Sequence, residues 1–291
     1  MPRNIKKPIF IKKRREKTIN SIINEISGIL SYDFLRYAFT AGILTSLCAS
    51  LLGVNLVLKR YSMIGDGLAH VGFGAFALTA ALNPLPSWVA IPIVGGAAVL
   101  LLRVSKNSKI KGDALIAVIS SGALACGLIL MNIFDVRNDI SRYMFGSIFA
   151  LEKSDVVMSA VCSVIIIILY IAFYNKIFLV TFDEDFAKST GINVPLYNTL
   201  LAVLTAVVIV VGMRLMGALL ISGLVIFPPL SAMRITSSFK LTVLLSAVIS
   251  IVCFTAGLVL TFYYSLPPGA SIVAVNLVVF VLLSIARRIK R

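Results

Sequence analysis

Residues 34–72 read FLRYAFTAGILTSLCASLLGVNLVLKRYSMIGDGLAHVG. The stretch opens on an apolar run long enough to cross about 30 Å of hydrocarbon. Lys59 and Arg60 interrupt it, and a second, glycine-rich apolar run follows that carries Asp66 and His70. His70 is the only histidine in 291 residues. If the second run is helical, positions i and i+4 share one face, about 6 Å apart along the axis. A carboxylate and an imidazole so placed can hold a divalent transition metal such as zinc. The plainer reading makes Asp66 a helix cap and His70 a buried, hydrogen-bonded side chain. Inside a membrane, however, a titratable side chain is costly and functional by default, which favours the metal reading. Two ligands do not complete a zinc site. The rest would come from water, backbone carbonyls, polar groups such as Asn55 or Ser62, or a second copy of the chain.

Outward from this stretch the same grammar repeats. The chain is 59% hydrophobic and 13% charged, whereas a soluble domain is nearer about 25% charged. Spans are expected at 34–58, 66–83, 86–104, 113–132, 154–176, 194–212, 215–234, 240–263 and 270–288. The fold class is therefore an all-α membrane protein with about nine transmembrane helices, filling residues 32–291. Residues 1–31 form a separate basic arm followed by Ile19, Ile22, Ile23, Ile26, Ile29 and Leu30 at helical spacing. That pattern predicts an amphipathic helix lying on the membrane surface. No continuous apolar core follows the basic cluster, so the arm does not read as a signal peptide.

The net charge of +15 is no nucleic-acid signal. The cations sit in the arm and between apolar runs, as orientation signals do, with few aromatics interleaved. One set of loops holds fourteen Lys and Arg and the opposite set four: Arg137, Arg142, Lys153 and Arg214. The first set, with Lys59, Arg60 and the C-terminus, is expected in the cytoplasm. Nine spans then place the basic arm outside, against its charge. Either the arm crosses regardless or the span count is off by one. Cys48, Cys126, Cys162 and Cys253 lie inside apolar runs without a C-x-x-C and read as buried packing residues.

Other positions divide between packing and partner contact. Residues 181–195 place Asp183 as an N-cap, acids Glu184 and Asp185 in a first turn, Gly191 as a terminator and Pro195 at the next helix start. This is either a short capped cytoplasmic helix suited to docking into a partner or an ordinary loop with one helical turn. Arg214 reads as an interfacial, snorkelling side chain. Gly72, Gly74, Gly95, Gly96, Gly122, Gly212, Gly217 and Gly223 read as close helix-packing positions. Pro228 and Pro229 are expected to kink or end a helix. The run Gly146 to Ser154 fails as a phosphate loop, because Glu152 precedes Lys153 where a glycine is needed. With no nucleotide site and no nucleophile–base pair, neither an enzyme nor a bound cofactor is expected.

Several stretches are similar, in order, to one known family. Val57 to His70, VLKRYSMIGDGLAH, resembles the "LRRMSLIGDALSH" stretch in permease subunits of ABC importers for zinc, manganese and iron(II). Lys111 to Ser120, KGDALIAVIS, is similar to "EDTAIGIIFS". Tyr143 to Ala150, YMFGSIFA, resembles "YLFGSILA", and Phe182 to Gly191 resembles the coupling segment. Gly217 to Pro228, GALLISGLVIFP, is similar to "GILLVSALLVIP", and Leu266 to Val273, LPPGASIV, to "LPSGPTIVL". The resemblance covers about 34–288 and leaves the arm outside. Two positions depart from it: Ala69 replaces a serine and Gly67 an alanine.

The resemblance implies a homodimeric permease with a vitamin-B12-importer-like fold in the bacterial cytoplasmic membrane. Cytoplasmic ABC ATPase subunits would drive it, and an extracellular metal-binding lipoprotein would deliver zinc, or manganese or iron next. Asp66 and His70 would line the metal path. Asp183, Glu184, Asp185, Phe186 and Gly191 would form the coupling helix against the ATPase. The rival reading, a stand-alone secondary metal-ion transporter or channel, calls for more intramembrane acids than the sequence offers.

Overall fold

The computed structural model describes residues 33–82, 87–107, 112–135, 144, 146, 151 and 153–289. The basic arm and its expected surface helix lie outside the described residues. Eleven α-helices make up the described chain: α1 (Asp33–Leu58), α2 (Ser62–Ala81), α3 (Ala90–Asn107), α4 (Gly112–Ile133), α5 (Lys153–Ala172), α6 (Tyr174–Phe182), α7 (Glu184–Ser189), α8 (Val194–Met216), α9 (Ala218–Ile235), α10 (Phe239–Tyr264) and α11 (Pro268–Ile289). Eight of them are long and apolar enough to cross a membrane. The remaining expected span, 86–104, falls on α3, whose apolar part runs Ala90–Leu101. An all-helical answer suits hydrocarbon, because each helix satisfies its backbone donors and acceptors internally.

Helix α1 is the post around which α5, α8, α9 and α10 stand. Small and hydroxylated residues let them close in. Thr45 and Ser159 share a hydrogen bond of 3.1 Å across α1 and α5, and Ser250 of α10 donates to the Ser46 carbonyl at 2.9 Å. With lipid as apolar as the core, such bonds and close packing hold membrane helices together. Helix α2 lies between α4 and α9, with α3 and α8 also against it. Helices α4, α5 and α11 leave rows of Val, Ile and Leu exposed, such as Ile165, Ile168 and Ile171 on α5.

The glycines divide in two. A Cβ on Gly74 would lie 2.7 Å from the Ala123 carbonyl oxygen, one on Gly212 2.5 Å from Ile221, and one on Gly223 2.9 Å from Val273. Gly72 meets Met213 at 3.1 Å. Gly95, Gly96 and Gly122 meet nothing within 4 Å, so within this chain they are not packing positions. The glycine type is common to both groups; only the facing helix tells them apart. Gly217, with φ +85°, is the single residue that joins α8 to α9.

Pro228 and Pro229 do not end their helix: α9 continues through both to Ile235. Proline removes the donor for the carbonyl four residues back, which here frees Leu224 and Val225. The Val225 carbonyl is met by Gly53 of α1, where an added Cβ would lie only 2.0 Å from its oxygen. Cys48 and Cys253 are buried as expected, Cys162 is half-buried, and Cys126 is exposed on the outer face of α4.

Candidate metal path and its cytoplasmic linkage

Helix α1 ends in a tight reversal. The Arg60 amide donates to Val57 O at 3.0 Å and the Tyr61 amide to Leu56 O at 2.8 Å. This is the paired-bond termination usually built on a left-handed glycine. Arg60 takes that role with φ +61°. The turn is complete by Tyr61, so α2 starts at Ser62, four residues before the expected boundary. Tyr61 is its N-cap and makes no side-chain capping bond. Asp66 therefore sits one turn inside the helix, and the capping reading of Asp66 does not hold.

Asp66 and His70 do share a face. Asp66 Oδ2 lies 3.6 Å from His70 Nε2, with the side chains 45% and 27% exposed. The helical rise puts them roughly 6 and 12 Å along a helix of about 30 Å. Gly65 and Gly67 on either side of Asp66 let neighbours close in, Val225 on one flank and Ile116 on the other. The Gly67 departure has a reason here, since a Cβ would sit 2.5 Å from Ile116 Cγ2. The gap between Nε2 and Oδ2 is too long for a hydrogen bond. It suits a shared cation: bonds of about 2.0–2.1 Å to N and O would meet at an angle of about 120°. Among the described residues, no three His, Cys, Asp or Glu side chains gather as a metal cluster. Within one chain the pair offers two donor groups on an open face of α2.

Asn55 does not turn toward that pair. Its amide donates to Leu51 O at 3.1 Å and to the Tyr170 hydroxyl at 3.0 Å, and its oxygen accepts from Thr181 at 3.1 Å.

The 183–191 segment is a capped helix. The Asp183 carboxylate accepts from the amides of Asp185 at 3.1 Å and Phe186 at 2.9 Å. Gly191, with φ +81°, ends α7 through the bonds Gly191 N to Lys188 O and Ile192 N to Ala187 O, both 3.0 Å. Lys188 donates to Asp185 at 2.9 Å, and that contact raises its pKa above the ordinary lysine value. Asp185 and Phe186 are exposed, whereas Glu184 turns inward. Its Oε1 accepts from Lys59 Nζ at 3.0 Å and from Asn198 Nδ2 at 3.0 Å.

Arg214 is not a lone snorkelling side chain. It pairs with Asp155 at 2.8 Å, where α5 starts and α8 ends; the Asp155 side chain is 6% exposed. The two are far apart in sequence, and only tertiary packing joins them. The only sign in the sequence is an acid at a span start, two residues after Lys153.

The family described as the ABC 3 transport family matches residues 31–287. The "High-affinity zinc uptake system membrane protein ZnuB" of Buchnera aphidicola subsp. Acyrthosiphon pisum is 27% identical over 244 residues, 83% of this chain and 93% of the relative. The "Manganese transport system membrane protein MntC" of Listeria monocytogenes is 25% identical over 256 residues, 88% of this chain and 91% of the relative. The solved structure "PsaBC from Streptococcus pneumoniae in complex with Fab" is similar with a TM-score of 0.81 and 29% identity, over 90% of this chain and 95% of that one.

Proposed function

The chain belongs to the ABC 3 transport family, and from that premise we propose that it is the membrane permease of an ATP-driven importer of a divalent transition metal. Zinc or manganese is the cargo, as in the named relatives. The observation that carries the reading is the 3.6 Å approach of Asp66 Oδ2 to His70 Nε2 on one open face of α2. A dication leaving water needs negative charge and donor atoms, and Asp66 supplies the charge. The imidazole favours a borderline metal over Mg²⁺ or Ca²⁺. A second copy across a two-fold axis would double the set, giving two carboxylates and two imidazoles. An importer must also release its ion, and a site open on one side suits that better than a closed four-ligand cage.

The chain's part is the path; hydrolysis falls to separate ATPase subunits that dock on α7. Its exposed Phe186 and Asp185 and its fixed ends at Asp183 and Gly191 support that role. A binding protein on the far side delivers the metal, and the site of action is the bacterial cell membrane. The test is uptake of zinc and manganese by Asp66→Asn in cells where membrane expression matches wild type. Loss of uptake is expected. Wild-type uptake would end the reading, because asparagine keeps the size and removes only the charge.

A further inference from the structure

The Lys59 side chain is 9% exposed, and Glu184, which faces it, is 32% exposed. A lysine is almost never this buried without a partner. As an orientation signal it would need only to reach the cytoplasmic water, so its burial needs another cause. Lys59 Nζ donates to both Glu184 Oε1 and Asn198 Oδ1, and Asn198 Nδ2 closes the triangle on the same carboxylate oxygen. The three residues come from three places: the turn after α1, the first turn of α7 and the start of α8. A buried ion pair is poor at adding stability, since well-packed apolar residues often do as well or better. What it does well is fix one arrangement of the elements that carry it.

We propose that the Lys59–Glu184–Asn198 cluster ties the position of α7 to that of α2, and so sets the geometry of the Asp66–His70 pair. This rests on the reading of α7 as the ATPase-docking segment and of the pair as the metal path. Only Arg60 and Tyr61 separate Lys59 from α2, and the reversal is pinned by the amides of Lys59, Arg60 and Tyr61, donating to Asn55, Val57 and Leu56. There is no slack between the charge and the helix. One turn earlier, Asn55 is held by Tyr170 of α5 and by Thr181 of α6, the helix that leads into α7. The end of α1 therefore has two connections to the α6–α7 corner, one ionic and one through Thr181. Asp66 follows Lys59 by seven residues and His70 by eleven. A displacement of α7 by a partner pulls Glu184, then Lys59, then the first turns of α2. Glu184, Lys59 and Asn198 are positioning residues and do not touch the ion.

The test uses the transporter assembled with its ATPase subunits in liposomes, with zinc and manganese as probes and metal moved per ATP hydrolysed as the readout. Glu184→Gln leaves the Lys59 charge without its carboxylate, so the double variant Lys59→Gln with Glu184→Gln is the decisive one. It removes both charges and keeps amide hydrogen bonds. It is expected to unfold at the wild-type temperature within a few degrees, to keep its ATPase subunits, and to move at least tenfold less metal per ATP. A pair that served stability alone would leave that ratio unchanged, and a wild-type ratio in the double variant overturns the proposal. Phe186→Asp, with Lys59 and Glu184 intact, tests the underlying docking reading. Loss of co-purifying ATPase supports it; full retention refutes docking on α7 and with it the premise of the proposal, whereas loss of ATPase here with a wild-type metal-per-ATP ratio in the double variant overturns the ion-pair proposal alone.

Discussion

Replacing Gly53 by alanine puts a methyl group where the structure has a carbonyl. The new Cβ would lie 2.0 Å from Val225 O and 3.0 Å from both Val225 C and Pro229 Cγ. A C···O contact relaxes near about 3.3 Å, so α1 and α9 must part by about 1 Å or more. The obstacle is helix backbone and cannot rotate away. Overpacking of this kind costs about 1–3 kcal/mol, and a rigid wall puts it toward the upper end. Alanine returns about 1 kcal/mol of helix propensity. The net expectation is a loss of about 1–2 kcal/mol, or a melting temperature roughly 2–6 °C lower for a chain of this size. Gly95→Ala is the control: nothing lies within 4 Å of its added Cβ, so only the propensity gain of up to about 1 kcal/mol remains. Thermal unfolding in detergent can be followed with a thiol-reactive fluorophore. Cys126 is exposed and reacts at once, while buried Cys48 and Cys253 report unfolding. Gly53→Ala melting at or above Gly95→Ala would refute the reasoning.

Two further outcomes follow from named contacts. Arg214→Met strips the guanidinium from buried Asp155 and should cost about 1–3 kcal/mol, less than a fully buried pair because Arg214 is itself 38% exposed; adding Asp155→Asn should recover most of it, as a double-mutant cycle on melting temperature would read. Gly191→Val forces a branched residue to φ +81°, at about 1–2 kcal/mol of local strain; amide exchange confined to α7 should speed by roughly tenfold, with the rest of the chain unchanged.

Much of the frame is legible in the sequence because hydrocarbon imposes it. Apolar length marks every span, and Asp183 with Gly191 marks both ends of α7 correctly because capping is a local matter. The Asp66–His70 face is legible for the same reason, being a matter of helical period alone. What escapes is whatever depends on the facing element. Arg60 ends α1 in a conformation that composition assigns to glycine, so the sequence alone starts α2 a turn late and leaves Asp66 a capping role. Gly53 and Gly95 are the same letter, yet one meets a carbonyl and the other meets nothing. Lys59 counts as an orientation charge in the sequence and is a buried ion-pair partner in the structure. Arg214 finds Asp155 only once α5 and α8 have been packed together.

The three-residue reversal at Lys59, Arg60 and Tyr61 bears on how the chain enters the bilayer. Helix α2 is the least apolar of the eight spans. It carries Asp66, His70 and four glycines; an aspartate at a span centre costs about 2.5–3.5 kcal/mol to insert, and Asp66, one turn in, bears part of that cost. With no slack in the reversal, α2 partitions together with strongly apolar α1 as one helical hairpin. Its glycine seats for Ile116 and Ala123 fill only when α4 is made. The polar helix is carried into the membrane by its predecessor and held there by a successor, so Asp66 and His70 never have to dissolve in lipid alone.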